Sequence, residues 1–358
     1  MQIAYLSAST SITTWAELSA IGTNETTLDQ DYVLANDISS STTGYDTYAS
    51  SSANGGVGWI PIPGTFTGTF DGQNNSISDI YISRPDTAYS GLFTVLGECT
   101  ISNLTISNVD ITGKTYIGIL TGADLTTTTV TNVIVSGTIA SPNTTGTTAY
   151  IGGLIGSGRG EYNSCTADVT ITTPGNRVGG FIGSALNTGL GIINCYSSGT
   201  ITATGGYVGG FMGYLSYTAS ISNCYSTTEI AANSTSNRFG GFIGYRSSGT
   251  ISNCYSIGKV YNAGSGSEGG FSGDGASTDC FWNTETSECA TSDSGTGKTT
   301  AEMKVEGTFT NWDFETIWEI NANYNNGYPS LLALDYPEPI PPSIRKLKGK
   351  TNITWLFK

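Results

Sequence analysis

Two columns of residues recur along this chain with a shared period of about 30 residues. The first column is a glycine followed by an apolar residue, and the steps between successive glycines are 27, 35, 27, 30, 31 and 29 residues. Its members are Gly91-Leu92, Gly118-Ile119, Gly153-Leu154, Gly180-Phe181, Gly210-Phe211, Gly241-Phe242 and Gly270-Phe271. The second column lies between them and consists of Ile80, Leu104, Val133, Cys165, Cys195, Cys224, Cys254 and Cys280. Two columns with one period predict a stack of similar coils.

Apolar and polar residues alternate around a corner in each repeat. In 221–226, Ile221 and Cys224 are expected to point inward and Tyr225 outward, while Asn223 turns the corner, because Asn tolerates a left-handed backbone. The corner positions are Asp79, Asn103, Asn132, Ser164, Asn194, Asn223, Asn253 and Asp279. Stacked corners predict an all-β fold, a parallel β-solenoid of about eight coils with strands about 4.8 Å apart. Since crossovers between parallel strands favour one hand, we expect a right-handed solenoid.

The Gly-Phe members of the first column predict an internal aromatic ladder. A second glycine precedes each of these phenylalanines, which lets the backbone turn tightly. The ladder would consist of Phe181, Phe211, Phe242 and Phe271.

The two ends of the chain depart from the repeat, and we predict four segments: an N-terminal cap (1–38), the solenoid (39–290), a C-terminal cap (291–334) and a docking tail (335–358). Thr14, Glu17 and Gly22 predict a short capped helix over 13–22. Residues 39–58 are rich in Ser and Gly and predict a surface loop. The apolar residues of the C-terminal cap are expected to close the open end of the stack, as a solenoid requires. They are Trp312, Phe314, Ile317 and Trp318.

The tail combines a stiff Pro-rich segment with basic and apolar residues. A flexible terminus without a binding role would be polar throughout, whereas this one contains several apolar residues. We therefore expect it to dock on a partner subunit, for instance by adding a strand to it. The candidate docking residues are Arg345, Lys346, Lys348, Lys350, Ile353, Trp355, Leu356 and Phe357.

Composition and charge exclude several function classes. Charged residues make up 12% of the chain, and the net charge is −14. Residues 1–344 hold 9 basic against 28 acidic residues, so phosphate neutralisation of a nucleic acid is not expected. The absence of histidine excludes imidazole metal sites and Ser-His-Asp or Cys-His catalysis. No apolar run is long enough to insert into a membrane, and the first residues do not resemble a secretory signal.

The sequence Gly-Gly-Phe-Ile-Gly at 179–183 and 240–244, with Ile-Ser-Asn-Cys-Tyr-Ser at 221–226 and 251–256, resembles the GLUG motif. That motif occurs in bacterial and archaeal surface proteins, in immunoglobulin A peptidases and in phage proteins. The resemblance covers roughly residues 26–334 and implies an extended surface scaffold. The peptidases carry a separate zinc-binding His motif, which this chain lacks, so the resemblance does not imply their activity.

The other candidate chemistry has simpler explanations. Five of the seven cysteines occupy a column shared with Ile, Leu and Val, which indicates small buried groups, and Cys99 and Cys289 lie off the column. Residues 292–299 imitate a phosphate-binding loop, but Ser292 replaces its first glycine. The acids of the coils form no recurring pair of the kind that glycosidases use. We therefore expect neither an enzyme nor a cofactor or metal site.

An aromatic column is expected on the outer face. It could pack along the sheet, or it could offer a flat surface on which sugar rings stack. The candidate glycan-facing residues are Tyr81, Tyr196, Tyr225 and Tyr255, with Phe281 in the same column.

These features favour a non-enzymatic structural and adhesive protein on the exterior of a virion, such as a tail, fibre or capsid-surface component of a phage or archaeal virus. The native-looking Met1 and the missing signal agree with this expectation. Its partners would be other virion proteins, a host surface glycan or protein, and further copies of the chain. The alternative is a secreted bacterial or archaeal cell-surface adhesin or S-layer-type protein. A β-helical glycan-cleaving enzyme is the third possibility.

Overall fold

Three parallel β-sheets wind around one core in the computed structural model, which describes residues 9–185, 188–234, 238–264 and 266–334. They form a parallel β-solenoid of about 7 turns, close to the expected coil number. Each residue pairs with its counterpart about 30 positions away, as in Tyr196↔Tyr225↔Tyr255. The repeat period is therefore one turn of the solenoid, while its handedness stays a prediction.

The first sheet, called the long sheet here, has 19 strands in the described residues. They are Thr10–Ile12, Asp31–Leu34, Thr69–Asp71, Ser76–Ser78, Tyr81–Ser83, Thr100–Thr112, Thr129–Ala140, Glu161–Asn163, Thr166–Thr173, Leu190–Ile193, Tyr196–Ala203, Ala219–Ser222, Tyr225–Ser226, Glu229–Ala232, Thr250–Ser252, Tyr255–Ser256, Val260–Asn262, Phe281–Asn283 and Thr296–Lys298.

Two narrower sheets complete each turn. The five-stranded sheet consists of Thr148–Gly152, Asn176–Gly179, Val208–Gly209, Arg238–Gly240 and Ser267–Gly269. The seven-stranded sheet consists of Ile62–Phe66, Phe93–Leu96, Thr121–Asp124, Ile155–Gly158, Ile182–Ala185, Met212–Leu215 and Ile243–Arg246. A two-stranded antiparallel sheet, Trp318–Ile320 with Pro329–Leu331, lies in the C-terminal segment.

The corners of the long sheet are left-handed, as expected from their Asn and Asp residues. Asn103, Asn132 and Asn223 have φ values of 52°, 54° and 53°. The first turn differs from the prediction, because Asn74 and not Asp79 lies over Asn103. Asp79 lies at a second left-handed corner instead, where it accepts a hydrogen bond from the Asn108 side chain at 2.7 Å. The prediction was wrong there because this turn has two similar corners five residues apart.

The core consists of stacked identical side chains. Phe181, Phe211, Phe242 and Phe271 form the predicted ladder, with ring centroids 4.7, 4.8 and 4.9 Å apart and planes within 5° of parallel. All seven cysteines are buried and free. The cysteine column therefore fills the core, as expected.

The N-terminal segment extends the long sheet. The predicted helix is present at Trp15–Ala20, with a capping box between Thr14 and Glu17. A 3₁₀ turn follows at Glu25–Thr27. Residues 39–58 are not a plain surface loop, since they contain two short helices, Tyr45–Tyr48 and Ala53–Gly56, with Ala49 fully buried.

The C-terminal segment does not close the stack in the expected way. Trp312 and Trp318 pack with Tyr225 and Tyr255 on the outer face of the long sheet, in a cluster separate from the main core. Trp282 lies inside the last turn, where its strand Phe281–Asn283 pairs with Thr296–Lys298. Its ring lies 1.9 Å from where a Cβ on Gly270 would be, so only glycine fits there. The segment also has 3₁₀ turns at Glu302–Lys304, Glu306–Thr308 and Asn325–Gly327. Among the described residues, no helix is long and apolar enough to cross a membrane.

Candidate functional site

A row of tyrosine and arginine side chains runs from turn to turn near the N-terminal ends of the strands in the five-stranded sheet. Each member lies two positions before a glycine, and the residues that follow them pair in register from turn to turn. All members are half-buried, so each keeps a solvent-accessible edge. The column contains Tyr89, Tyr116, Tyr150, Arg177, Tyr207 and Arg238, and with the adjacent Tyr214 and Tyr245 we call it the tyrosine–arginine ridge.

The first three members stack as parallel rings. The ring centroids of Tyr89 and Tyr116 are 4.7 Å apart, and those of Tyr116 and Tyr150 are 4.5 Å apart, with interplanar angles of 15° and 18°. These distances match the spacing between parallel strands. Because the ring faces cover one another, the stack presents its edges and hydroxyl groups outward.

Arg177 continues the row as a cation between rings. Its guanidinium carbon lies 3.9 Å from the ring centroid of Tyr214 and 5.2 Å from that of Tyr150. Its Nη1 donates a hydrogen bond to the Tyr150 hydroxyl at 3.3 Å. Contacts of a guanidinium with two ring faces are favourable by roughly 0.5–2 kcal/mol each. They hold the positive charge at one place on the ridge.

The part of the ridge that comes later in the chain is also built from packed rings and a guanidinium. Tyr207 packs its ring edgewise against Tyr214 and Tyr245, at centroid distances of 5.2 and 5.5 Å. The Arg238 guanidinium lies 5.0 Å from the Tyr245 ring centroid, and its Nε is 2.6 Å from Asp274 Oδ2. This second arginine is therefore neutralised by a carboxylate.

The backbone at the ridge is strained in a way that the Asn corners are not. Tyr89, Tyr116, Tyr150, Arg177 and Tyr207 have φ values between 54° and 64°. The left-handed region suits Asn, but it costs other residues roughly 1–3 kcal/mol each. Stacking and cation–π contacts offset that cost. The side-chain contacts therefore stabilise a left-handed backbone conformation that Tyr and Arg residues do not favour on their own.

Burial, together with the neighbouring phenols of Tyr150 and Tyr89, raises the pKa of Tyr116 to about 12. Its hydroxyl therefore stays neutral at physiological pH and can both donate and accept a hydrogen bond.

The predicted glycan-facing tyrosines need two corrections. Tyr196, Tyr225, Tyr255 and Phe281 do form one column, but Tyr81 pairs with Asp110 in a different column. Tyr225 and Tyr255 are 2% and 0% exposed because the C-terminal segment covers them. They cannot stack on a sugar in this arrangement, whereas Tyr196 and Tyr81 are half-buried.

The predicted docking residues all lie outside the described residues. They are Arg345, Lys346, Lys348, Lys350, Ile353, Trp355, Leu356 and Phe357. Their role stays a prediction.

The buried reactive groups have structural partners. The carboxylate of Asp124 accepts hydrogen bonds from the backbone N–H groups of Arg159 and Gly160 and from the Tyr162 hydroxyl. Burial raises the pKa of Cys165 well above the usual value, so this thiol is a poor nucleophile. In the described part of the chain, no three His, Cys, Asp or Glu residues are grouped to hold a metal ion.

The ridge was missed in the sequence, although it has a signal there. A Tyr or Arg stands two positions before the first glycine of six successive repeats. The sequence cannot show that these positions are left-handed, or that the rings stack.

The GLUG motif matches residues 204–231 of this chain. The chain is 35% identical over 146 residues to halomucin of Haloquadratum walsbyi, a match that covers 39% of this chain and 1% of halomucin. It is 30% identical over 114 residues to a protein of Evansella cellulosilytica provisionally named a Gly-rich membrane protein, covering 29% of this chain and 13% of that protein. The chain thus spans a small part of each relative.

A solved structure has a similar architecture. It is a Bacteroides ovatus protein provisionally named an immunoglobulin A1 protease, with a TM-score of 0.56 and 19% sequence identity, and the match covers 91% of this chain and 92% of that one. At this identity the likeness shows a shared fold alone.

Proposed function

We propose that this GLUG-repeat β-solenoid protein is a non-enzymatic structural and adhesive module that works on the exterior of a cell or particle. The similarity to halomucin and to a membrane protein supports a surface location. The solenoid supplies a rigid rod, and the tyrosine–arginine ridge supplies the adhesive surface.

The ridge is the observation that carries this proposal. Its side chains follow the stacking direction over several turns and are fixed by ring stacking and by the strained backbone. A fixed side chain loses little conformational entropy on binding. Tyrosine and arginine, together with tryptophan, are also enriched among the residues that dominate binding energy in protein interfaces. A long ligand that lies along the row could contact several turns at once.

Co-sedimentation of the purified full chain with intact cells of the source organism, or with polysaccharide extracted from their surface, tests the proposal. Replacing Tyr116 and Tyr150 by Phe keeps the stack and removes two hydroxyls, which should weaken binding by about tenfold. The matched control replaces Tyr217 and Tyr261, which are 40% and 54% exposed outside the ridge, by Phe. Loss of binding in the control, or none in the ridge variant, would contradict the proposal.

A virion exterior is a narrower version of the same proposal. Genes for capsid, portal or tail proteins beside this one would favour it, and secretion genes would favour a cell-surface adhesin. Turnover of surface polysaccharide in a reducing-sugar assay would overturn the non-enzymatic assignment.

We further propose that the tail docks the module on a partner subunit. Deleting 337–358 should abolish assembly with that partner and leave the circular dichroism and the melting of the solenoid unchanged. Unchanged assembly would refute the docking role.

A further inference from the structure

We infer that the tyrosine–arginine ridge binds a carboxylate-bearing polysaccharide and that Arg177 is the residue that contacts its carboxylate. This inference rests on the proposed adhesive role of the ridge and specifies its ligand class.

The two ridge arginines differ in their partners. Arg238 is paired with Asp274 at 2.6 Å. Among the described residues, no carboxylate lies within ion-pair distance of Arg177, whose contacts are the rings of Tyr150 and Tyr214 and the Tyr150 hydroxyl. That hydrogen bond uses one of the five N–H donors of the guanidinium. The remaining donors are suited to a carboxylate, which a guanidinium binds with two parallel hydrogen bonds.

The position of Arg177 is preset for such a contact. The guanidinium is held between two rings, and the backbone is fixed at a φ of 64°. A planar fork held in one orientation loses less entropy when it binds than a free lysine ammonium does. Arg177 is also only half-buried, so a ligand can reach it from solvent.

The neighbours of Arg177 favour a sugar chain over a small acid. Tyr150 and Tyr207 precede and follow it in the column, and their hydroxyls can hydrogen-bond to sugar hydroxyls on both sides of a carboxylate. The same row continues to Tyr116 and Tyr89 at intervals of 4.5 and 4.7 Å. A linear polymer can follow such a row, whereas a single carboxylic acid would contact only its middle.

The net negative charge of residues 1–344 sets the salt dependence of this binding. Residues 1–344 contain 9 basic and 28 acidic residues, so a polyanion is repelled at long range. Salt screens that repulsion more strongly than a partly buried contact at Arg177. Affinity should therefore hold or increase as NaCl is raised from about 0.05 to about 0.5 M, opposite to a surface that binds by net positive charge.

The test is isothermal titration of the full chain with polygalacturonate, alginate and hyaluronate. Fully methyl-esterified polygalacturonate is the control that keeps the sugar chain and lacks the carboxylate charge. Poly-glutamate is the control that keeps the carboxylates on a peptide chain. We expect at least one of the acidic polysaccharides to bind. Esterification and Arg177→Gln should each weaken binding by about tenfold or more. Arg177→Lys should recover only part of the affinity that Arg177→Gln loses, since a lysine cannot form the paired hydrogen bonds.

The control for lost charge is Lys259→Gln, which removes one positive charge from the ion pair with Glu288 outside the ridge and should leave binding unchanged. Binding that survives esterification or Arg177→Gln, equal binding of poly-glutamate, or no binding of any of the three polysaccharides would overturn the inference. If surface polysaccharide still binds in that case, and the binding depends on the Tyr116 and Tyr150 hydroxyls, the ridge is adhesive but its ligand is not a carboxylate-bearing polysaccharide.

Discussion

The Phe ladder should be the most sensitive point of the solenoid, and Phe211→Ala tests it. The Phe211 side chain is fully buried and stacks on Phe181 at 4.7 Å and on Phe242 at 4.8 Å. Removal of the ring therefore breaks contacts with both neighbouring turns. In a solenoid each turn is held mainly by its two neighbours, so this site weakens both interfaces of one turn.

The expected loss is about 4 kcal/mol in the free energy of unfolding, since Phe→Ala in a closed core costs roughly 3–5 kcal/mol. Two lost ring pairs supply about 0.5–1.5 kcal/mol each beyond the buried area. Phe211→Leu retains much of the volume and should lose about half as much. Tyr217→Ala, at a 40% exposed side chain, should change stability by less than about 0.5 kcal/mol.

Urea unfolding followed by far-ultraviolet circular dichroism measures these differences. A weakened turn should also separate the transition into two steps, because the halves of the rod become less coupled. A loss below about 1 kcal/mol for Phe211→Ala would show that the ladder is not a closely packed core.

Three further predictions follow from buried groups. Burial raises the pKa of Asp124 from 3.8 to about 6, so its contribution to stability is present below about pH 4 and is lost as the pH rises through 6. The stability of Asp124→Asn relative to the wild type should thus rise by about 2 kcal/mol between pH 4 and pH 7, and a constant difference in urea midpoints would contradict this. Trp318→Ala should speed hydrogen exchange in the C-terminal segment and leave the solenoid protected, because Trp318 is fully buried in the outer cluster with Tyr225; unchanged exchange would count against it. The thiols should resist a thiol reagent in the native state and react in denaturant, since all seven are buried and a reagent cannot reach them; rapid native reaction would contradict this.

The periodic part of the fold could be predicted from the sequence because each turn repeats the same physical requirement. An inward Cys or Phe and a left-handed Asn recur at one period, and stacking follows from that period. The first turn was predicted in the wrong register because Asn74 and Asp79 both satisfy the corner requirement. Nothing local distinguishes them until the strand pairing is known.

The covering of the outer tyrosines could not be predicted, because it depends on where the C-terminal segment folds back. Trp312 and Trp318 are apolar enough to close the end of the stack or to cover its side, and composition cannot choose between these positions. The strand Thr296–Lys298 pairs with Phe281–Asn283 in the last turn instead. The ridge was hidden for a similar reason, since residues such as Tyr150 and Arg177 come together only through turn-to-turn register.

Hydroxyl-radical footprinting of the full chain, with and without the surface polysaccharide that it binds, tests the central claim most directly. Bound polysaccharide should protect Tyr116, Tyr150 and Tyr207 of the ridge and leave Tyr217 and Tyr261 as reactive as before. Protection confined to Tyr217 or Tyr261, or no protection at the ridge while polysaccharide is bound, would contradict the claim that the ridge is the adhesive surface.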